Sequence, residues 1–168
     1  QQRSVGVSEA ELVKIAVRSL GLDELTPFHP EERVIEYLLR DPSATRLVAM
    51  TVAQFASETA AESAAPGGGS VSAAVGAFGA ALGTMVANLS SHKRGWDHRW
   101  QEFSDHAEQG QRAVQELLFL VDEDTRAFDR VMAGFGMPRG TDEEKAARRL
   151  AIDTATLEAT RIPFRVME

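Results

Sequence analysis

Along most of the chain apolar residues return every three or four positions, the repeat that gathers them on one face of an α-helix. Leu12, Ile15, Ala16 and Leu20 follow this spacing after Ser8-Glu9-Ala10-Glu11, a capping box in which the Ser8 hydroxyl takes the Glu11 amide and Glu11 reaches back. Gly21 supplies a C-cap. Pro27, Pro30 and Pro42 break up the next stretch, and between them Glu31 to Leu39 predicts a short helix with Val34, Ile35 and Leu38 inward. Thr51 to Ser63 predicts a helix with Val52, Phe55 and Ala56 on one face. Pro66 to Gly69 interrupts it, and a longer helix follows from Ser70 to Ser91.

The longest periodic segment runs from Trp96 to Ala133. Trp100, Phe103, Ala107, Gly110, Val114, Leu117, Val121, Phe128 and Val131 form one stripe on it. Gly134, Gly136 and Pro138 end the segment. Thr141-Asp142-Glu143-Glu144 is a second capping box, opening a last helix toward Ile162, where Pro163 kinks or stops it. No stretch alternates as a strand does, and no fixed-period repeat is present. The pattern predicts an all-α helical bundle from Thr51 onward, preceded by a small helical lead-in.

Composition alters this picture little. The 168 residues are 43% hydrophobic and 26% charged, as in ordinary globular domains. A net charge of −7 argues against a general nucleic-acid binder. The absence of cysteine removes disulfides, thiolate nucleophiles and thiolate-bound zinc, and the chain fits a cytosolic protein. Ser70 to Leu89 carries no charge over the length of a membrane span, but it is mostly Ala, Gly, Ser and Thr. That composition inserts weakly into lipid and predicts a buried helix with no membrane partner. The start at Gln1 has no signal-peptide pattern, and Ile162 to Met167 reads as the opening of another helix, so a fragment of a longer polypeptide is expected.

Two features carry candidate chemistry. Gly67, Gly68 and Gly69 let the backbone come close to a ligand just before a helix N-terminus, whose free amides carry partial positive charge. Ser70 can cap that end and offer a hydroxyl. The same residues suit a plain interhelix turn, and they match neither a P-loop nor a dinucleotide fingerprint. Beyond them Gly76, Gly79, Ala80, Gly83 and Ala87 make a smooth face, predicting close approach of another helix; Asn88 is the only side-chain amide there.

The second feature is Asp124, which lies three residues after Val121 and four before Phe128, in the middle of the apolar stripe. Asp122, Glu123 and Asp129 fall off the stripe and are expected in solvent. A carboxylate on a core face is costly unless paired, and burial favours its neutral form, which suits proton transfer near neutral pH. A structural Asp bonded to Ser, Thr or Arg of another helix explains the position equally well. Lys93 and Arg94 are either ordinary C-terminal helix charges or a seat for a carboxylate tail. His92, His98 and His106 do not form a metal pair, and no metal site is expected.

Taken in order, these blocks resemble one family. Pro66-Gly-Gly-Gly-Ser70, Gly79-Ala-Ala-Leu-Gly83 with Met85-Val86, Leu120 to Phe128, Met137-Pro138 with Thr141 to Lys145, and Ala159 to Pro163 are similar to the motifs of the formiminotetrahydrofolate cyclodeaminase/cyclohydrolase family. The resemblance covers Thr51 to the end, residues 51–168. Leu20 to Phe28 and Pro30 to Tyr37 resemble the last stretch of a glutamate formiminotransferase domain, so residues 1–40 read as the remnant of an α/β transferase domain and 41–50 as a linker.

The resemblance implies an all-α bundle that associates as dimers. It implies closure of 5-formiminotetrahydrofolate to 5,10-methenyltetrahydrofolate with release of ammonia, in histidine breakdown. Asp124 then matches the catalytic aspartate. Gly67 to Ser70 and Asn88 line the pterin or the reacting centre, Lys93 and Arg94 hold a glutamyl tail, and no cofactor beyond the tetrahydrofolate substrate is needed. Two departures stand out: most of the transferase domain is absent, and so are the final helices of the cyclodeaminase domain. A methenyltetrahydrofolate cyclohydrolase and a non-catalytic helical assembly module are the alternatives.

Overall fold

The computed structural model describes residues 6–7, 9–24, 26–38 and 46–168, and among them every regular element is helical. In chain order these are α1 (Glu9–Ser19), α2 (Pro30–Arg33), α3 (Ile35–Leu38), α4 (Val52–Thr59), α5 (Gly68–Ser91), α6 (Trp100–Phe135) and α7 (Asp142–Met167). Single 3₁₀ turns at Leu47–Ala49 and Asp97–Arg99 precede α4 and α6.

Local chemistry explains most boundaries. At the end of α1 the Leu22 amide reaches the Val17 carbonyl and the Gly21 amide reaches that of Arg18, with Gly21 at φ 64°. This is a Schellman cap, which needs the left-handed conformation glycine adopts freely. The capping box expected at Ser8 lies outside the described residues. Thr51 and Thr141 each form a complete capping box, with Gln54 and Glu144, and so fix the starts of α4 and α7.

Four expectations about helix limits and inward positions change. The single helix over Glu31–Leu39 is two short ones, because Val34 is extended at φ −91° and ψ 119°, and Ile35 and Leu38 are exposed rather than inward. In α1 the buried position among the described side chains is Val17, while Leu12 and Leu20 are exposed. The helix over Thr51–Ser63 stops at Thr59. Pro163 neither ends nor interrupts α7, which continues to Met167.

The chain forms two compact units, and α5 and α6 contribute a segment to each. The first comprises the described residues of 1–45 with Leu82–Gln111. Here Gly6 lies against Ala107, where a Cβ would come within 2.7 Å of the Ala107 methyl. Trp96 stacks on Phe103 with ring centres 5.3 Å apart.

The second unit comprises Arg46–Ala81 and Arg112–Glu168. Its core joins Leu47, Ala73, Leu120, Val121, Ala127 and Ile162, with Phe55, Leu117 and Val166 packed against it. Gly76 meets the Leu117 methyls, where an added Cβ would sit 3.4 Å away. Asp122, expected in solvent, is 6% exposed. The segment before α4 covers a second side of α6, so the apolar stripe is not the only buried arc. There Asp122 Oδ2 accepts the Arg46 Nε–H (3.0 Å) and Oδ1 the Val48 amide (3.4 Å).

Helix α5 is buried on one side only. Ser70, Ala73, Ala77, Thr84, Ala87 and Ser91 face inward, while Val75, Phe78, Leu82, Met85, Val86 and Leu89 are exposed. A Cβ on Gly79 or Gly83 would meet nothing within 4 Å, so the expected tight helix contact at these glycines is not made among the described residues. By length and composition α5 could cross a membrane, and 28% of its most apolar window is buried, in place of the fully buried helix expected.

Candidate functional site

The first four amides of a helix have no partner within it. At the start of α5 one of these amides, that of Ser70, donates to Oδ2 of Asp124 at 2.8 Å. Asp124 therefore caps α5 from the middle of α6, placing negative charge at the positive end of the helix dipole. Ser70 is fully buried, and its Oγ lies 2.9 Å from the Val121 carbonyl, 3.1 Å from Asp124 Oδ2 and 3.4 Å from Thr125 Oγ1. No hydrogen bond among the described residues reaches Asp124 Oδ1.

The glycines before Ser70 divide their work. A Cβ on Gly69 would fall inside the Asp124 carboxylate, 2.5 Å from its carbon. Gly69 is thus required by the aspartate that lies flat against it. Gly67 has ordinary room, with Asp124 Oδ2 3.8 Å from its virtual Cβ, and Gly68 has nothing within 4 Å. Ala64, Ala65, Gly67–Gly69, Asp124, Thr125, Phe128 and Ala159 line a cavity of about 240 Å³ over this loop. Asp124 is half-buried at its wall. Asp124 is thus bonded to a serine of another helix, as the structural reading has it, and also lines a cavity.

Gly67, Gly68, Gly69, Ser70 and Asp124 are therefore brought together. Ser70 is placed differently from a substrate contact: it is sealed behind the carboxylate. Asn88, Lys93 and Arg94 belong to the other compact unit. Asn88 donates its amide N–H to the Gly6 carbonyl at 3.0 Å. Lys93 and Arg94 are exposed after α5, with Lys93 Nζ 4.1 Å from the Trp96 ring centre. Close by, Arg99 donates two N–H bonds to Glu102 (2.9 and 2.7 Å), and this hydrogen bonding holds the Glu102 carboxyl below its ordinary value. Thr125 and Phe128 also line the cavity, and the motifs gave them no role. For Phe128 the signal was its place four residues after Asp124, on the same face of α6; Thr125, the next residue, carried no such signal.

An all-α unit with a carboxylate presented over a glycine loop is a candidate small-molecule site on a helical scaffold. Comparison with known proteins identifies the scaffold. Residues 51–168 match the family described as formiminotransferase-cyclodeaminase, and residues 1–40 match the formiminotransferase domain. The chain belongs to the formiminotransferase-cyclodeaminase family. It is 37% identical over 163 residues to the formimidoyltransferase-cyclodeaminase of Rattus norvegicus, covering 96% of this chain and 30% of that protein. The Gallus gallus formimidoyltransferase-cyclodeaminase is 37% identical over 158 residues, 94% of this chain and 29% of the relative. A methenyltetrahydrofolate cyclohydrolase of Methylorubrum extorquens is 37% identical over 81 residues, 48% of this chain and 39% of the relative. The chain thus spans about 30% of the length of the formimidoyltransferase-cyclodeaminases it matches.

Proposed function

We propose that the polypeptide carrying this chain is a formiminotetrahydrofolate cyclodeaminase, and that Asp124 performs its proton transfers. The observation that carries the reading is the carboxylate of Asp124, anchored at the start of α5 and open to the cavity over Gly67–Gly69. In the reaction, N10 of the protonated formimino compound attacks the formimino carbon and forms the five-membered ring. N10 then holds one proton too many, and the exocyclic nitrogen needs one to leave as ammonia. Asp124 takes the first and delivers the second. The lone pair of a ring nitrogen expels ammonia and leaves the methenyl cation, so the positive charge is conserved. Carbon stays at the formate level throughout, so the step requires no redox group, and proton transfer alone supplies what a positioned carboxylate offers.

Gly67 and Gly68 give the pterin close access to backbone. Asn88, its amide N–H given to Gly6, is not part of the proposed set. The cyclohydrolase relative supports a second reading, in which water attacks the methenyl carbon beside the same carboxylate. The formiminotransferase-domain match over residues 1–40 favours the first. The test is to give the intact polypeptide 5-formiminotetrahydrofolate and follow methenyltetrahydrofolate and ammonia together. Equal amounts of both are expected. Folded protein that releases neither overturns the reading, and turnover of methenyltetrahydrofolate alone replaces it with the cyclohydrolase.

The proposal includes a homodimer built on α5. Val75, Phe78, Leu82, Met85, Val86 and Leu89 offer a continuous apolar face beside Gly79 and Gly83. Replacing both glycines by Leu is expected to leave the fold intact, because no described atom lies within 4 Å of a Cβ at either, and to shift the assembly toward monomer in sedimentation. An unchanged assembly removes α5 from the interface.

A further inference from the structure

Building on the cyclodeaminase reading, we infer that Ser70 is the positioning residue that makes Asp124 a one-oxygen proton carrier. Oδ2 is held by the Ser70 amide at 2.8 Å and faces the Ser70 hydroxyl at 3.1 Å, both from the buried side. Oδ1 has no hydrogen bond from the described residues and lies over the bare Cα of Gly69. The same oxygen, Oδ1, therefore takes the proton from N10 and hands it to the departing nitrogen. When Oδ1 holds that proton, Oδ2 is the carbonyl oxygen of a neutral acid and still accepts the Ser70 amide. The carboxyl group does not need to turn between the two transfers, and a fixed group wastes none of its orientation.

The hydroxyl of Ser70 adds a second element. It has one hydrogen and two acceptors in reach, the Val121 carbonyl at 2.9 Å and Asp124 Oδ2 at 3.1 Å. A charged carboxylate is the stronger acceptor and draws that hydrogen; a protonated one releases it to Val121. The Ser70 hydrogen thus follows the charge of Asp124 while remaining on Ser70 throughout, so no proton is gained or lost at the serine. Thr125 Oγ1, 3.4 Å from the Ser70 oxygen, lies on the remaining side.

Ser70→Ala in the intact polypeptide removes the hydroxyl, keeps the amide and is nearly isosteric. Turnover is expected to fall roughly 10- to 100-fold while KM for 5-formiminotetrahydrofolate stays within about 2-fold. Ser70→Thr, which keeps the hydroxyl, is expected to restore most of the lost turnover. A raised KM with unchanged kcat would show that Ser70 touches substrate, and turnover that Ser70→Ala leaves unchanged or that Ser70→Thr does not restore would reduce Ser70 to packing; each overturns the inference. Wild-type protein with no turnover sinks the cyclodeaminase reading alone. The inference is then decided without substrate by a crystal structure of Ser70→Ala, in which the Asp124 carboxylate leaves its position over Gly69 if the Ser70 hydroxyl holds it and keeps that position if it does not.

Discussion

Asp122 and Asp124 stand two residues apart on α6 and have opposite surroundings. Asp122 faces the segment before α4, with both oxygens engaged by Arg46 and Val48. Asp124 faces the start of α5, where one oxygen is held by Ser70 and the other has no hydrogen bond from the described residues. Residues two apart on a helix point about 200° away from each other, so one helix supplies a tether on one side and, in the proposed reaction, the proton carrier on the other. Burial alone does not separate the two roles: Asp122 is the more buried of the two. What separates them is an unshared oxygen beside a cavity.

Substitutions can break this comparison. Asp124→Asn leaves Oδ1 or its replacement unable to carry a proton, and turnover is expected to fall by roughly 10²- to 10⁴-fold; full turnover in the methenyltetrahydrofolate assay would remove Asp124 from the chemistry. Gly69→Ala drives a methyl into the Asp124 carboxylate. It is expected to cost about 1–3 kcal/mol in a denaturant titration and to lower turnover in the protein that remains folded. Asp122→Ala is the contrasting case. It leaves the Val48 amide and a half-exposed Arg46 without their partner, for an expected loss of about 1–2 kcal/mol after allowing for solvent screening of the arginine. Its turnover per folded molecule is expected to match wild type. If Asp122→Ala loses turnover as Asp124→Asn does, the division of labour between the two sides of α6 is wrong.

The sequence disclosed what short-range chemistry decides. Thr51 with Gln54 and Thr141 with Glu144 lie three residues apart, so the starts of α4 and α7 could be read directly. The position of Asp124 on the stripe singled it out. Asp122 was misread because its partner Arg46 lies 76 positions away, beyond any periodicity. The break at Val34 and the continuation of α7 through Pro163 reflect local backbone choices that propensity alone leaves open. The glycine loop was legible as a place of close approach, but not the nature of what approaches. At Gly69 it is the protein's own carboxylate.

The bare side of α5 also bears on how copies of the chain behave in solution. At long range they repel, each carrying −7. At contact, six large apolar side chains on one helix attract. Salt acts on the first effect far more than the second: the screening length falls from about 30 Å at 0.01 M to about 3 Å at 1 M. The proposed association through this helix is therefore expected to strengthen as ionic strength rises, the opposite of an interface held by ion pairs.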